Sequence, residues 1–282
     1  DSVGVGDLYG ICTPLPGCTF PTLNALGGAY GLAISSDNRF LYVTSVADNK
    51  ITVLSIDADG GVSLGALRFP AQQFSNAALV EPYDIVLSPD GAYAYVANYI
   101  GDSIAVLPRN GQDGTLSAPV QTINSAQVAG LNGVFRLAVS PDGNTVYGAS
   151  YDSDSVTVFQ RNPADGKLTH VQTFSNGVAG VSGLDAASSV KVSPDGKYVF
   201  ATGFLSDAVV SFERDTQTGR LTYVGPPITT AALDGARDLV ISPNGRQVYA
   251  TGFNADQVSM LPFANPIPAV ESLSPASVAQ GA

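Results

Sequence analysis

The sequence predicts an all-β chain folded as a β-propeller, on three observations: a turn motif that returns about every 50 residues, a second marker in the same phase, and a composition suited to short strands and tight turns. The motif is Ser88-Pro89-Asp90-Gly91. It recurs unchanged at 140–143 and 193–196, with one substitution at Ser242-Pro243-Asn244-Gly245 and in degenerate form at Ser35-Ser36-Asp37-Asn38. Successive serines stand 53, 52, 53 and 49 residues apart, and Leu26, Leu79, Leu131, Leu184 and Leu233 each lie nine residues before one of them. Of the 24 acidic residues only those at 81, 213 and 271 are Glu. Asp bonds its own backbone two residues on and favours turns, as do the 30 Gly and 18 Pro. Five copies predict five blades; the alternative is an incomplete ring of six or seven.

Each unit reads as four strands. An apolar run such as Ile85-Val86-Leu87 or Leu239-Val240-Ile241 suits an innermost strand buried on both faces. Ser-Pro-Asp-Gly then makes a type I turn, Pro presetting φ and Gly closing it. The second strand alternates, as in Tyr93-Ala94-Tyr95-Val96. A short loop ends at Asn49, Asp102, Asp154, Asp207 or Asp256, before a third strand such as Val156-Thr157-Val158-Phe159. A polar hairpin leads to the fourth strand, opened by Gly114-Thr115-Leu116, Gly166-Lys167-Leu168-Thr169 and Gly219-Arg220-Leu221-Thr222. One such sheet cannot bury both faces, so the blades pack on each other around an axis.

The 282 residues are 45% hydrophobic and 13% charged, enough apolar surface for a sizeable core and against disorder. A net charge of −11 disfavours nucleic acid and anionic membranes as partners. No apolar run approaches the roughly 18 residues of a spanning helix. The first basic residue is Arg39, so the start is not the positive region of a signal peptide; an exported protein would already have lost it. Cys12 and Cys18 enclose Pro14, Pro16 and Gly17, a loop that brings two sulfurs together as a disulfide. That implies an oxidising compartment: secreted, periplasmic or cell surface.

Ser-Pro-Asp-Gly followed by Tyr-Val, as in Tyr95-Val96 and Tyr42-Val43, then a hairpin with Arg109-Asn110, Arg161-Asn162 or Arg214-Asp215 that ends Gly-x-Leu-Thr, resembles the lactonase-like propellers and their YVTN-type surface relatives. The resemblance runs from about residue 30 to 262. It implies a propeller with a central funnel and, for an enzyme, His, Glu and Arg side chains working there on a ring ester or olefin. Asp1-Ser2-Val3-Gly4-Val5 resembles the third-strand opening Asp102–Val106, so residues 1–29 are expected to close the ring, with Phe20–Leu23 completing the last blade. The propeller would span 1–265. Residues 266–282 would be a linker and, from Pro268 to Pro275, the start of a truncated immunoglobulin-like domain resembling IPT domains, within a larger multidomain chain.

Chemistry is expected where the loops entering the inner strands converge. The Asp residues of the Ser-Pro-Asp-Gly turns lie on the opposite face and are expected to serve the turns only. Packing positions in a repeat look alike, whereas ligand-facing ones differ. The two most variable columns are Tyr30, Tyr83, Phe135, Ser188 and Arg237, and next to them Gly31, Asp84, Arg136, Ser189 and Asp238. Asp84, Arg136, Arg237 and Asp238 would form either an ion-pair plug or the polar part of a pocket. Its walls would be Tyr30, Tyr83, Tyr99, Tyr151, Phe204 and Phe253, or these rings would only pack blade against blade. No cofactor is expected; a minor alternative is Ca²⁺ held by Asn132, Asp185 and Asp234. The single His170 falls on an outer strand and Glu81 is the only Glu near the mouth, so the residues usual for acid–base work are missing. The residues thus point to a non-catalytic binding or adhesion module for a protein, glycan or small polar ligand. The alternative is a lactone hydrolase with Asp84 as base and Arg136 as oxyanion stabiliser.

Overall fold

In the computed structural model, which describes residues 26–56 and 67–262, the repeat unit is an antiparallel sheet and the molecule is a five-bladed β-propeller. Blade 1 holds β1 (Ala29–Ile34), β2 (Phe40–Ser45), β3 (Lys50–Ile56) and β4 (Leu67–Ser75). Blade 2 holds β5 (Pro82–Leu87), β6 (Tyr93–Asn98), β7 (Ser103–Pro108) and β8 (Gln121–Asn124). Blade 3 holds β9 (Val134–Val139), β10 (Thr145–Ser150), β11 (Ser155–Arg161) and β12 (Leu168–Ser175). Blade 4 holds β13 (Ala187–Val192), β14 (Tyr198–Gly203), β15 (Ala208–Arg214) and β16 (Leu221–Thr229). Blade 5 shows three strands among the described residues, β17 (Ala236–Ile241), β18 (Gln247–Gly252) and β19 (Gln257–Pro262). Residues 1–25 and 263–282 lie outside the described residues, and with them the expected Cys12–Cys18 pairing, the closing strand and the Ig-like segment.

Four apolar clusters fill the joints between consecutive blades. Between blades 2 and 3, for example, Tyr95, Ile104 and Val106 meet Leu131, Leu137 and Phe159. Blade 1 meets blade 2 through Phe40, Ile51 and Leu107; blade 4 meets blade 5 through Phe200, Leu239 and Leu261. Leu32 and Ile34 of blade 1 and Val240, Val258 and Met260 of blade 5 are exposed, and no cluster joins these blades among the described residues. The fifth blade reaches the first through Arg237 Nη2, which donates to Tyr30 Oη at 2.9 Å.

Polar latches repeat at the joints, and they explain motifs that the sequence shows without a reason. At one end of the sheets, Asn49, Asp102, Asp154 and Asp207 adopt left-handed φ of 45–52°, which a short polar side chain tolerates. Each accepts the N–H of a residue entering the next blade: Glu81, Gly133, Ala186 and Gly235. Asp256 has the same φ without such a bond among the described residues. On the outer strands, the Gln72, Gln121 and Gln172 amides bond both the N–H and the C=O of Leu116, Leu168 and Leu221 in the following blade.

At the opposite end a buried arginine bridges two blades. Arg161 Nε donates to Tyr95 Oη at 2.7 Å, Nη1 to the Gly143 carbonyl and Nη2 to Asp90 Oδ2. Arg214 repeats this with Tyr147, Gly196 and Asp142. The turn aspartates therefore do more than the turn-forming role expected of them: one oxygen of Asp90 or Asp142 closes its own turn and the other holds the next blade's arginine. Tyr95 and Tyr147 also donate to the Gly166 and Gly219 carbonyls. Gly166 has φ +71°, and a Cβ there would lie 2.3 Å from the Tyr93 ring, so the hairpin glycine is required both by its backbone and by the neighbouring blade. In blade 1 Asp37 pairs with exposed Arg39 instead, and Arg109 Nη2 is buried without a partner among the described residues.

Candidate active site at the axis

The five inner strands share one irregularity. In blade 2, Pro82 pairs with Asn98 and Asp84 with Ala97, which leaves Tyr83 without a cross-strand partner. Phe135, Ser188 and Arg237 are skipped in the same way in blades 3, 4 and 5, and in blade 1 the shift covers Tyr30 and Gly31. A bulge breaks the alternation of side chains and re-aims one of them, a device common beside active sites. Here it aims the most variable column of the repeat. Gly31 is required by the crowding: a Cβ would fall 2.6 Å from the Tyr83 carbonyl oxygen of the next blade.

Aromatic rings from all five blades form a continuous wall. Tyr30 and Tyr83 lie 4.6 Å apart between centroids, Tyr83 and Phe135 5.1 Å, and the chain continues through Phe135–Tyr151, Tyr151–Phe204 and Phe204–Phe253 at 5.8, 6.1 and 6.3 Å. Tyr99 joins at 5.0 Å from Tyr83 and donates to Asp152 at 3.0 Å. Burial, then that bond, pushes its phenol up to about 12. The predicted pocket walls therefore do meet, and they pack blade against blade as well. Two guanidiniums lie on these rings, Arg136 over Tyr30 and Phe135 and Arg237 over Phe135, Phe204 and Phe253, all within 5.0–5.8 Å. At such distances the ring faces stabilise a cation.

Of the four charged residues expected at the mouth, the structure brings three into one group. Arg136 Nη1 stands 3.5 Å from Asp84 Oδ1, while Leu137 N–H of the next blade donates to Asp84 Oδ2 at 2.8 Å. Asp84 is only 7% exposed. Burial pushes its carboxyl up; the Arg136 charge and the Leu137 N–H pull the other way without winning. Asp238 is turned aside, accepting from Ser189 Oγ at 2.6 Å and from Leu239 N–H. Ser188, in the Arg237 column, instead ties the Ala236 and Arg237 carbonyls to blade 4. An ion-pair plug is thus only half built.

The residues offered for calcium each meet another side chain. Asn132 sets its amide nitrogen 2.7 and 3.1 Å from the two Asp102 oxygens, in the orientation that satisfies both groups. Asp234 accepts from Asn254, and burial and Asp154 push the Asp185 carboxyl up. Among the described residues no group of three or more His, Cys, Asp or Glu side chains could hold a metal ion. His170 lies on the outer strand β12, its Nε2 2.9 Å from Thr173 Oγ1, as its place in the repeat predicts.

A family model described as "Lactonase, 7-bladed beta-propeller" matches residues 18–131 and 120–265. The chain belongs to this lactonase family. A 6-phosphogluconolactonase of Klebsiella pneumoniae (strain 342) is 26% identical over 212 residues, covering 73% of this chain and 60% of that protein. A 6-phosphogluconolactonase of Enterobacter sp. (strain 638) is 26% identical over 204 residues, 71% of this chain and 57% of the relative. The chain thus spans about three-fifths of the length of these relatives. Among solved structures, the periplasmic gluconolactonase of Pseudomonas aeruginosa superposes with a TM-score of 0.66 at 26% identity, covering 82% of this chain and 65% of that one. A protein from Lactobacillus plantarum shares the fold at a TM-score of 0.65 and 20% identity, over 83% and 70%.

These findings overturn the non-catalytic binding or adhesion module that the sequence suggested: a lactonase family and relatives named as lactonases support its alternative. The lack of a His or a second Glu at the mouth pointed away from catalysis. Packing between the blades, however, makes Asp84 a buried carboxyl with a raised pKa. The signal available was the variable column itself, which named Asp84 and Arg136 without their environment.

Proposed function

We propose that this chain hydrolyses the ring ester of a lactone at the axial mouth, with Asp84 as proton acceptor and Arg136 as the group that stabilises the developing oxyanion. The observation that carries the proposal is the Asp84–Arg136 pair, 3.5 Å apart beside the aromatic wall, in a member of the lactonase family. Water attacks the ester carbonyl carbon as Asp84 takes its proton. The carbonyl oxygen gains the negative charge and faces the Arg136 guanidinium. The ring C–O bond then breaks, and the leaving oxygen takes the proton back from Asp84 to give a hydroxy acid. The substrate class is a sugar-acid lactone, whose C–H faces suit the aromatic wall; the names of the Klebsiella and Pseudomonas relatives support this choice.

Each turnover releases an acid, so a pH-stat reads the reaction directly with a panel of sugar and simple lactones. The expected result is turnover above the spontaneous rate, lowered about 10²–10³-fold by Arg136→Ala, the usual cost of losing an oxyanion donor. Wild-type protein no faster than buffer, or an unimpaired Arg136→Ala, would refute the reading. Location outside the cytoplasm is part of the proposal, supported by the Cys12–Cys18 spacing and by the periplasmic description of the Pseudomonas relative. Recovery of the protein only in the cytoplasmic fraction of its host would count against it.

A further inference from the structure

We infer that Asn110 modifies itself: in the folded protein its side-chain amide is lost to the neighbouring Gly111 nitrogen, and water leaves aspartate or isoaspartate in its place. The position lies on the hairpin between β7 and β8, at the end of the sheets opposite the mouth. The chemistry is independent of the lactonase reading.

The sequence holds four Asn-Gly pairs, beginning at 110, 132, 176 and 244. Glycine has no side chain to hinder its nitrogen, so each pair is open to the reaction. The Gly nitrogen attacks the Asn Cγ; the N–Cγ bond forms, the Cγ–Nδ2 bond breaks, and ammonia departs with the proton of the Gly N–H. Water then opens the cyclic imide. Attack at Cγ gives aspartate; attack at the main-chain carbonyl carbon gives isoaspartate, in which the backbone runs through Cγ. The first step needs a Gly N–H free to turn and to lose its proton, so any hydrogen bond on that N–H must break first.

The fold separates one pair from the other three. Gly133 N–H donates to Asp102 Oδ1 at 2.7 Å, Gly177 N–H to the Val181 carbonyl at 2.9 Å and Gly245 N–H to the Ser242 carbonyl at 2.8 Å. Gly111 N–H meets no acceptor among the described residues, and Asn110 and Gly111 are both exposed to the water that the second step consumes. Two bonds also favour the attack. Gln112 N–H donates to Asn110 Oδ1 at 2.9 Å, drawing electrons from Cγ. Gly114 N–H donates to the Asn110 carbonyl at 2.9 Å, in the same peptide whose nitrogen gives up its proton.

The equivalent hairpins hold Asn162-Pro163 and Asp215-Thr216. Pro163 has no N–H and Asp215 no amide nitrogen, so neither repeats the reaction. Asp215 accepts Gln217 N–H at 2.8 Å as Asn110 accepts Gln112, so the aspartate product fits the hairpin. Isoaspartate does not. It lengthens the main chain beside the carbonyls of Gly111 and Gln112, which Arg39 of blade 1 holds at 2.6 and 3.4 Å. Its formation therefore loosens the strap between blades 1 and 2.

The test ages the purified protein at mildly alkaline pH and maps its peptides by mass spectrometry, beside a sample aged in urea. In the folded protein Asn110 is expected to convert about 5–10-fold faster than Asn132, Asn176 or Asn244, the factor that one hydrogen bond on each competing N–H supplies. In urea the four rates should draw together. No conversion at Asn110, or another pair reacting as fast in the folded protein, would overturn the inference. Gly111→Pro copies the blade 3 hairpin, sacrifices no hydrogen bond, and puts a Cβ 3.9 Å from Arg109 Nη1, an ordinary contact. It should fold as wild type does and abolish conversion at Asn110; persistent conversion would refute the route through Gly111. Asn110→Asp should keep the urea midpoint of fresh wild type, while aged wild type falls below it as isoaspartate accumulates. Aged protein as stable as Asn110→Asp would overturn the loosening of the strap.

Discussion

Replacing Asp84 with asparagine is expected to lower kcat by about 10²–10⁴-fold, the range for loss of a positioned acid–base group, without weakening the fold. Asparagine keeps an oxygen for the Leu137 N–H, while its amide nitrogen takes the place of the oxygen that faces Arg136 and gives up the charge. The sign of the pH effects follows from the raised pKa of Asp84. As a base it must be ionised, so wild-type turnover should fall as pH drops through a value above the ordinary 3.8. The residual activity of Asp84→Asn should lack that acid limb. Stability runs the other way. A carboxyl with a raised folded pKa favours the folded state below 3.8 and loses that contribution as pH rises through the folded value. Asp84→Asn removes this loss, so its urea midpoint at neutral pH should equal or exceed that of wild type. A variant with wild-type kcat, or one that unfolds before its turnover can be read, would remove Asp84 from the proposed role.

Truncating Arg214 to alanine is expected to destabilise the protein by about 3–5 kcal/mol, as for other buried pairs broken on one side. Arg214 is 5% exposed and joins blades 3 and 4 through Tyr147, Gly196 and Asp142. Its loss leaves Asp142 Oδ2 and the Gly196 carbonyl without their donor and opens space between the sheets. Tyr147→Phe should cost less, about 1–3 kcal/mol, because only Nε of Arg214 and the Gly219 carbonyl lose a partner. The double variant should cost less than the two single effects added, since both remove the same contact. Urea unfolding of the three variants measures this; a loss under about 1 kcal/mol for Arg214→Ala would reduce the latch to an ordinary surface pair. The carboxyls of Asp90 and Asp142 are held below the usual range by their serine, backbone and arginine bonds. Their contribution is therefore present above pH 3.8 and lost as pH falls through the lowered values, a window on the opposite side of 3.8 from that of Asp84.

The joint between blades 4 and 5 shows the latch by its exception. Phe200 takes the place of Tyr95 and Tyr147 there, and Phe263 stands in sequence where Arg161 and Arg214 stand in their repeats. In the sequence, hydroxyl and guanidinium are replaced together, as expected if neither is tolerated without the other. The sequence carried this correlation, but only the contact between successive blades gave it a cause.

The repeat, the strand order within each blade, the turn positions and the outer place of His170 were legible in the sequence alone. They rest on local chemistry: a proline or glycine sets its own φ, and alternation sets which side chains share a face. The columns that reach the axis were legible too, because residues that differ between otherwise similar repeats stand out. The tertiary structure decided how those columns act. A bulge in every inner strand re-aims Tyr83, Phe135 and Arg237, yet no residue type announces it. Asp84 and Asp238 occupy equivalent positions, but one faces Arg136 in a buried site and the other is taken by Ser189. Which partner a carboxylate meets, and how much water it keeps, depends on distances between blades, and those distances are encoded in no single repeat.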